Sequence, residues 1–262
     1  MIEIKSLKET NEKLDFVIKN IDAVTANTIR RLIVSEIPIM AIEAVNVIKN
    51  NSALYDEMLS HRLGLIPFKT DLSSYNLKEK CKCKEKGCAL CELTLSLKAT
   101  GPCTVYSEDI KSKDPKVKPV YPKMPIVKLL KGQTLELEII AILGHGKDHA
   151  KFSPGLVHYQ AYPKIKVTNC KGSSKCVEVC PKDVFQVSNK KVKVVNEINC
   201  ILCKACEEAC PHGAINIEDS KTDFIFHVES WGQLKPKKLL LTAIDMLEDK
   251  LDDFNKSLKK LK

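Results

Sequence analysis

Four closely spaced cysteines constrain the fold of this chain more than any other feature. The segment "CILCKACEEACP" places Cys200, Cys203, Cys206 and Cys210 in a C-x2-C-x2-C-x3-C-P pattern. This spacing is typical of chains that hold iron–sulfur clusters through cysteine thiolates. A second segment, "CKGSSKCVEVCP", begins at Cys170 and has the same length and the same ending. The repeat predicts a small module of two similar halves whose fold depends on iron.

The spacing also predicts which thiolates share a cluster. In the two-repeat ferredoxin pattern, the fourth cysteine of each run ligates the cluster of the other run. Cys200, Cys203 and Cys206 would therefore take their fourth ligand from Cys180 of the first run. We expect this complete site to hold one iron–sulfur cluster, a [4Fe–4S] cluster, with [3Fe–4S] as the alternative.

The second cluster site is degenerate. It would use Cys170, position 173, Cys176 and Cys210, but position 173 is Ser173. A serine hydroxyl is a poor iron ligand beside thiolates. Three cysteines remain, which leaves three alternatives: a [3Fe–4S] cluster, an empty site or a disulfide.

A separate cysteine group lies in "CKCKEKGCALC". Cys81, Cys83, Cys88 and Cys91 form two close pairs around a short loop that contains a glycine. Such pairs can surround a tetrahedral Zn²⁺ ion. Two disulfides, or a site without metal, are the alternatives.

Composition and the absence of certain motifs limit the classes of function that this chain can have. The chain has 262 residues, 12 cysteines and a formal charge of +9. We expect a cytoplasmic protein, since no secretory signal or membrane-length apolar run occurs, and cysteines there more often bind metal than form disulfides. No Walker loop, G-x-S-x-G motif or D-x-D-x-D loop occurs, so we expect no catalytic residues in this chain.

The pattern of apolar residues predicts an α+β fold that ends in a long helix. Residues Ile2–Ile21 read as a hairpin, Asp22 or Thr25 can cap a first helix before Pro38, and a second helix should begin at Ser52. The lysine-rich and proline-rich segment Thr70–Lys131 should be largely irregular. The last helix, from Lys235 onward, carries a heptad of apolar residues that predicts a partner helix: Leu240, Ile244, Leu247, Leu251, Phe254, Leu258 and Leu261.

Several separated segments resemble one family. "ANTIRRLIVSEIPIMAIEAV" is similar to the helix-and-strand signature of the α-like subunits of RNA polymerases, and "GHGKDHAKFSPG" followed by "YPKI" resembles a loop of their archaeal and eukaryotic forms. The helix after "WGQLKP" resembles their dimerisation helix. With its ferredoxin-like insertion, the chain resembles the D-type, α-like subunits of archaeal DNA-directed RNA polymerases, which are related to the eukaryotic third-largest subunits and to bacterial alpha.

This resemblance implies a domain organisation. A discontinuous dimerisation domain would comprise residues 1–39 and 222–262. A mixed α/β domain with the four-cysteine site would be inserted at 40–164, and a ferredoxin-like iron–sulfur domain at 165–221. Cys81, Cys83, Cys88 and Cys91 resemble the zinc site of the eukaryotic relatives in spacing.

The resemblance also implies partners and a function. The chain would pair with the small α-like subunit L through the heptad helix, then recruit subunits N and P and the large catalytic subunit, known as B. It would meet DNA only through the assembled enzyme and would not contact a membrane. Arg30 and Arg31 match the family signature and are expected at a subunit interface, or else on a solvated helix face. The alternative function is a ferredoxin-type electron carrier or redox sensor.

Overall fold

The computed structural model describes residues 1–170, 173–188 and 191–261. They form two compact units. The first unit contains residues 1–9, 15–27 and 158–227, and the second contains 10–14, 28–157 and 228–262. Residues 171–172 and 189–190 of the predicted cysteine repeat lie outside the described residues. The domain boundaries inferred from the sequence remain a prediction.

The described residues form strands that are interrupted by α-helices of 4 to 24 residues. The strands are β1 (Glu3–Glu9), β2 (Lys13–Lys19), β3 (Ile39–Asn50), β4 (Glu92–Thr100), β5 (Cys103–Tyr106), β6 (Lys111–Ser112), β7 (Pro125–Leu129), β8 (Thr134–Gly144), β9 (Gly155–Val167), β10 (Phe185–Ser188), β11 (Lys191–Val194) and β12 (Ile215–Ser230). The helices are α1 (Ala23–Ser35), α2 (Asp56–Gly64), α3 (Lys175–Glu178), α4 (Ala205–Glu208) and α5 (Pro236–Lys259). The predicted α+β class is confirmed.

A four-stranded sheet of order β1-β2-β12-β9 organises the first unit. Its hairpin, β1 and β2, agrees with the prediction for Ile2–Ile21. Aromatic side chains alternate along the strands and share one face, where Phe16 stacks on Phe226 at 5.2 Å between ring centroids. Tyr159 stacks on Phe226 and meets Phe224 edge-on. Aromatic side chains packed in this way bury a large apolar area on that face of the sheet.

The first helix begins where the sequence indicates. The Oδ1 atom of Asp22 accepts a hydrogen bond from the backbone N–H of Thr25 at 2.7 Å, which satisfies one of the free amides at the N-terminus of α1. Hydrogen bonding with Thr25 also lowers the pKa of Asp22. The helix ends at Ser35, ahead of Pro38.

The second unit is built on an antiparallel sheet of order β3-β8-β4-β6. The segment Thr70–Lys131 is irregular over much of its length, as predicted, but β4, β5, β6 and β7 also lie within it and were not predicted. The missed signal is the alternation of Leu93, Leu95 and Leu97, whose side chains are all buried in the core below the sheet. The frequent lysines and prolines of the segment conceal this alternation.

Helix α2 starts four residues later than predicted. It begins at Asp56 because Ser52 belongs to a turn, in which its hydroxyl donates to Oδ1 of Asn50 at 2.7 Å. Leu59 and Leu63 bury one face of the helix. None of the described helices is both long and apolar enough to cross a membrane.

Helix α5 has two different apolar faces. Pro236, Leu239 and Ala243 are buried in the second unit. The heptad residues lie elsewhere on the helix: Leu240, Ile244 and Leu247 are half-buried, and Leu251, Phe254 and Leu258 are exposed. The last heptad residue, Leu261, follows the end of the helix and is also exposed. The first turns of α5 therefore anchor the helix, and its distal half projects an apolar stripe.

Candidate metal centres and subunit interface

The four cysteines of the predicted complete cluster site line one cavity in the first unit. Cys180, Cys200, Cys203 and Cys206 surround it together with apolar side chains that include Val184 and Phe185. Cys200 and Cys206 are buried, Cys180 is half-buried and Cys203 is exposed. The structure thus brings Cys180 of the first run to three cysteines of the second, as the crossed ligand pattern requires.

The loop that carries three of these cysteines has an unusual backbone. Leu202 has φ 58° and Lys204 has φ 61°, both in the left-handed region that non-glycine residues seldom adopt. These turns curl the chain between Cys200 and Cys206, so that α4 begins directly before Cys206. Strained conformations of this kind cluster where a chain is shaped around a ligand.

The raised pKa values of these thiols also indicate a site that needs a positively charged group to hold four thiolates. Burial, together with the nearby Cys180, Cys200 and Cys203, raises the pKa of Cys206 to about 11, and burial likewise raises the pKa of Cys200. Four thiolates at this spacing would repel one another without a compensating cation. Iron–sulfur clusters are held by thiolates and supply that positive charge, so the donor set suits the group.

The degenerate site retains part of its architecture. Cys176 is buried, and its raised pKa reflects that burial first and then the proximity of Cys210 and Cys170. The backbone N–H of Ala214 donates to Sγ of Cys210 at 3.3 Å. Ser173 approaches the site through its backbone, since its carbonyl accepts from the Cys176 thiol at 3.6 Å. Cys176 therefore lies near the thiols of Cys170 and Cys210 and against the backbone of Ser173.

The second cysteine group forms a compact sulfur cage in the second unit. The Sγ atoms of Cys81 and Cys88 are 3.5 Å apart, those of Cys83 and Cys91 are 3.6 Å apart, and those of Cys88 and Cys91 are 3.8 Å apart. A disulfide would need about 2.05 Å. Zn–S bonds of about 2.3 Å in a tetrahedron separate the sulfurs by about 3.8 Å. The cage therefore matches zinc better than it matches two disulfides.

A tight loop holds this cage together. Gly87 has φ +84°, and a Cβ atom there would lie 2.3 Å from a carboxylate oxygen of Glu92. That carboxylate pairs with Lys78 beside the cage. Burial raises the pKa of Cys91 to about 12, whereas at Cys83 the effect of burial is outweighed by hydrogen bonds from Cys81 and Cys91, which lower its pKa to about 7. One thiolate thus forms readily, and a cation would favour ionisation of the others.

The remaining predicted residues lie outside these centres. Arg30 is half-buried and Arg31 is exposed on α1. The heptad residues of α5 are half-buried as far as Leu247 and exposed from Leu251 onward. Sequence reasoning missed the inward face of α5, which includes Leu239 and Ala243. Their four-residue spacing was a usable signal, but the longer heptad on the neighbouring face concealed it.

Two family descriptions match parts of the chain. Residues 42–157 match the "RNA polymerase Rpb3/RpoA insert domain", which includes the sulfur cage. Residues 168–215 match the "4Fe-4S dicluster domain", which includes both cysteine runs.

Curated relatives match over nearly the whole chain. A protein named DNA-directed RNA polymerase subunit Rpo3 from Methanosphaera stadtmanae is 41% identical over 262 residues, with 96% of each chain covered. The Rpo3 protein of Methanosarcina acetivorans is 39% identical over 256 residues, again with 96% of each chain covered. That of Archaeoglobus fulgidus is 37% identical and covers 100% of this chain and 99% of its own.

Proposed function

Because this chain belongs to the family of archaeal DNA-directed RNA polymerase subunit Rpo3, we propose that it is a non-catalytic assembly subunit that pairs with the small α-like subunit L. The heterodimer then forms the platform on which subunits N and P and the large catalytic subunit, known as B, assemble. The nucleotidyl transfer reaction belongs to the assembled enzyme. DNA contacts this chain only in that context.

The exposed stripe of α5 carries this proposal. Leu251, Phe254 and Leu258 are 54%, 60% and 46% exposed, although they share one face of a helix. Burying each large apolar side chain contributes about 1.5–3 kcal/mol. A heptad spacing suits a second helix with a complementary stripe rather than a flat surface. A helical partner therefore stabilises this end of α5 more than water can.

The iron–sulfur site has a structural role in this proposal. The cysteine module has a small core that includes Val184, Phe185, Ile215 and the cysteines themselves. Modules of this size need a covalent or metal staple. A [4Fe–4S] cluster on Cys180, Cys200, Cys203 and Cys206 supplies strong iron–thiolate bonds between the two runs. The residues of this chain position those four sulfurs and shield two of them from water.

The sulfur cage has a comparable role in the second unit. We propose that Cys81, Cys83, Cys88 and Cys91 hold one Zn²⁺ ion, since the spacing of their sulfurs suits tetrahedral coordination. The ion would fix a loop that has little regular structure of its own. Four protein ligands leave no open position for a substrate, as in structural zinc sites.

A redox role is the second candidate, and one observation favours it. Cys203 is exposed, so a cluster bound there would approach solvent closely enough to exchange electrons. Titration with a reductant distinguishes the two functions. A stable reduced form whose affinity for subunit L differs from that of the oxidised form would favour redox sensing, whereas unchanged affinity favours the structural role.

Co-expression tests the assembly proposal directly. The full chain is co-expressed with each candidate small subunit, and the products are separated by size-exclusion chromatography. We expect a stable one-to-one complex with subunit L, which then binds N and P. Elution of the chain apart from L would contradict the proposal.

A further inference from the structure

A basic cleft opens at the N-terminus of α5 in the second unit. Its volume is about 860 Å³, and its walls come from the turn before β2, the segments 69–71 and 116–121, and the residues that lead into α5. Its charged lining residues are Glu12, Lys69, Asp71, Lys116, Lys235 and Lys238. Four ammonium groups thus face two carboxylates, and the cleft carries an excess of positive charge.

Three of these four lysines have no ion-pair partner among the described residues. The Oδ2 atom of Asp71 already binds Nζ of Lys116 at 2.8 Å, which contributes to holding the pKa of that carboxyl well below its usual range. Within the part of the chain that the structure describes, Lys69, Lys235 and Lys238 form no ion pair. Three ammonium groups on long, flexible side chains therefore surround the opening and attract anions.

The start of α5 adds to this field. Lys235 is the N-cap residue and makes no side-chain capping hydrogen bond, and the first turn contains no acidic residue. The N-terminus of a helix carries partial positive charge and unpaired N–H groups, so acidic residues are preferred there. Here lysines occupy that position instead. The local charge arrangement is unfavourable in the isolated chain, and a bound anion would relieve it.

Gln233 indicates what kind of anion fits. This residue lines the cleft and is only 5% exposed, yet its Oε1 atom has no hydrogen-bond partner among the described residues. A carboxamide offers both a donor and an acceptor. The Oε1 atom is shielded from water and must turn toward the cleft to be reached. It then needs a donor, which a peptide N–H supplies, whereas a phosphate at neutral pH offers mainly acceptors. Tyr121 and Val120 add an apolar wall, which also suits a peptide.

The cleft is held open by its own hydrogen bonds. The hydroxyl of Ser230 donates to the carbonyl of Leu234 and accepts from the N–H of Gly232 at 2.9 Å. The N–H of Thr70 donates to the carbonyl of Gln233 at 3.1 Å. Gly232 has φ +93°, and a Cβ atom there would lie 2.4 Å from Cγ1 of Val120. A site shaped in advance loses little conformational entropy on binding.

We propose that this cleft docks an acidic peptide segment of a protein partner, with carboxylates on Lys69, Lys235 and Lys238 and a backbone amide on Gln233. The proposal does not depend on which protein covers the exposed stripe of α5, because the cleft lies at the opposite end of that helix. Charge complementarity selects the segment, and Gln233 and the apolar wall favour peptide over nucleic acid.

The single tryptophan provides the readout. Trp231 directly precedes Gly232 in the cleft wall and is 42% exposed, so its fluorescence should respond when the cleft is filled. The full-length chain is titrated with a decapeptide of glutamate and leucine, with the same peptide carrying glutamine for glutamate, with a decamer of oligo(dT), and with inorganic phosphate. We expect a saturable change with the acidic peptide and a much weaker response to the other three.

Charge reversal identifies the site. Lys69→Glu with Lys238→Glu should weaken binding of the acidic peptide at least about tenfold, since two attractive contacts become repulsive. Lys128→Glu with Lys131→Glu changes the net charge equally on exposed residues outside the cleft and should leave affinity within about twofold. Thermal melting confirms that both variants fold. The proposal is overturned if the acidic peptide gives no saturable change, if both variants bind alike, or if oligo(dT) or phosphate binds as tightly as the peptide.

Discussion

The Nζ atom of Lys250 lies 3.2 Å from Oε2 of Glu36, and this ion pair joins the middle of α5 to the residue that follows α1. Lys147 approaches the same carboxylate oxygen at 3.5 Å. Burial alone would raise the pKa of Glu36, but the two ammonium groups outweigh it and lower that pKa. The charged carboxylate therefore helps to fix the orientation of α5 against α1 within the second unit.

This arrangement predicts a measurable coupling. Because the folded-state pKa of Glu36 is lowered, its contribution is complete above the ordinary glutamate pKa and is lost as pH falls through the folded-state value. At neutral pH, a double-mutant cycle of Glu36→Gln and Lys250→Met, measured by urea unfolding, should give a coupling free energy of about 0.5–1 kcal/mol. The coupling should shrink in high salt, and its absence in low salt would contradict the pairing.

The α5 stripe predicts a selective loss of pairing. Leu247→Asp with Leu251→Asp should abolish binding of subunit L, because two carboxylates would be buried against an apolar partner helix. The absorbance of the iron–sulfur cluster should remain, since the substitutions lie in the other unit. Co-expression followed by size-exclusion chromatography measures both.

Leu241 offers a matched control for this seam. It is 48% exposed, close to the 54% of Leu251, but it lies off the heptad. Leu241→Asp should leave the heterodimer intact while Leu251→Asp weakens it. Equal effects of the two single substitutions would mean that the heptad is not the interface.

The crossed ligand pattern predicts which cysteines matter for iron. Cys180→Ser, Cys200→Ser, Cys203→Ser and Cys206→Ser should each lose or degrade the cluster, which otherwise supplies about four irons per chain. Cys170→Ser and Cys176→Ser should leave iron content nearly unchanged. Cys176 and Cys206 are both buried, so a serine at either position disturbs the core to a similar extent. A loss of iron in Cys206→Ser alone would therefore reflect a lost ligand. Iron analysis and visible absorbance measure the cluster in each variant. Equal losses of iron in the two groups of variants would refute the assignment of the four ligands.

Replacing Ser173 by cysteine is predicted to restore binding of a second cluster. Ser173→Cys would restore the fourth thiolate beside Cys170, Cys176 and Cys210, and iron content should rise from about four to about eight per chain. Ser174→Cys adds a thiol one residue away and should not raise it. If Ser173→Cys leaves the iron content unchanged, the backbone of the degenerate site cannot hold a cluster.

The sulfur cage predicts bound zinc. Elemental analysis should find about one zinc per chain, and Cys91→Ser should remove it because the buried thiolate is one of only four ligands. Cys103→Ser, which alters an exposed cysteine outside the cage, should retain the zinc. Equal zinc content in both variants would exclude the cage as the site.

Much of this protein follows from sequence patterns that are local. The cysteine spacings name both candidate metal sites, and the alternation of Leu14, Phe16 and Ile18 together with the Asp22 cap predicts the opening hairpin and helix. The seven apolar heptad positions predict the stripe on α5. Each of these signals depends on residues a few positions apart, where chain geometry alone decides which side chains can meet.

Three features depend on tertiary structure and could not be predicted from local spacing: the strands at Thr70–Lys131, the buried face of α5 and the basic cleft. Composition hid the strands at Thr70–Lys131, because the lysines and prolines of that segment outnumber the three leucines of β4 that the core buries. Only packing separates the inward face of α5, at Leu239 and Ala243, from the outward stripe. The basic cleft brings together Lys69 and Lys238, which are far apart in the chain. Their positive charges therefore lie close to each other only in the folded protein. Contacts across such distances depend on how the whole chain buries its apolar surface, and that information is not carried by any single segment.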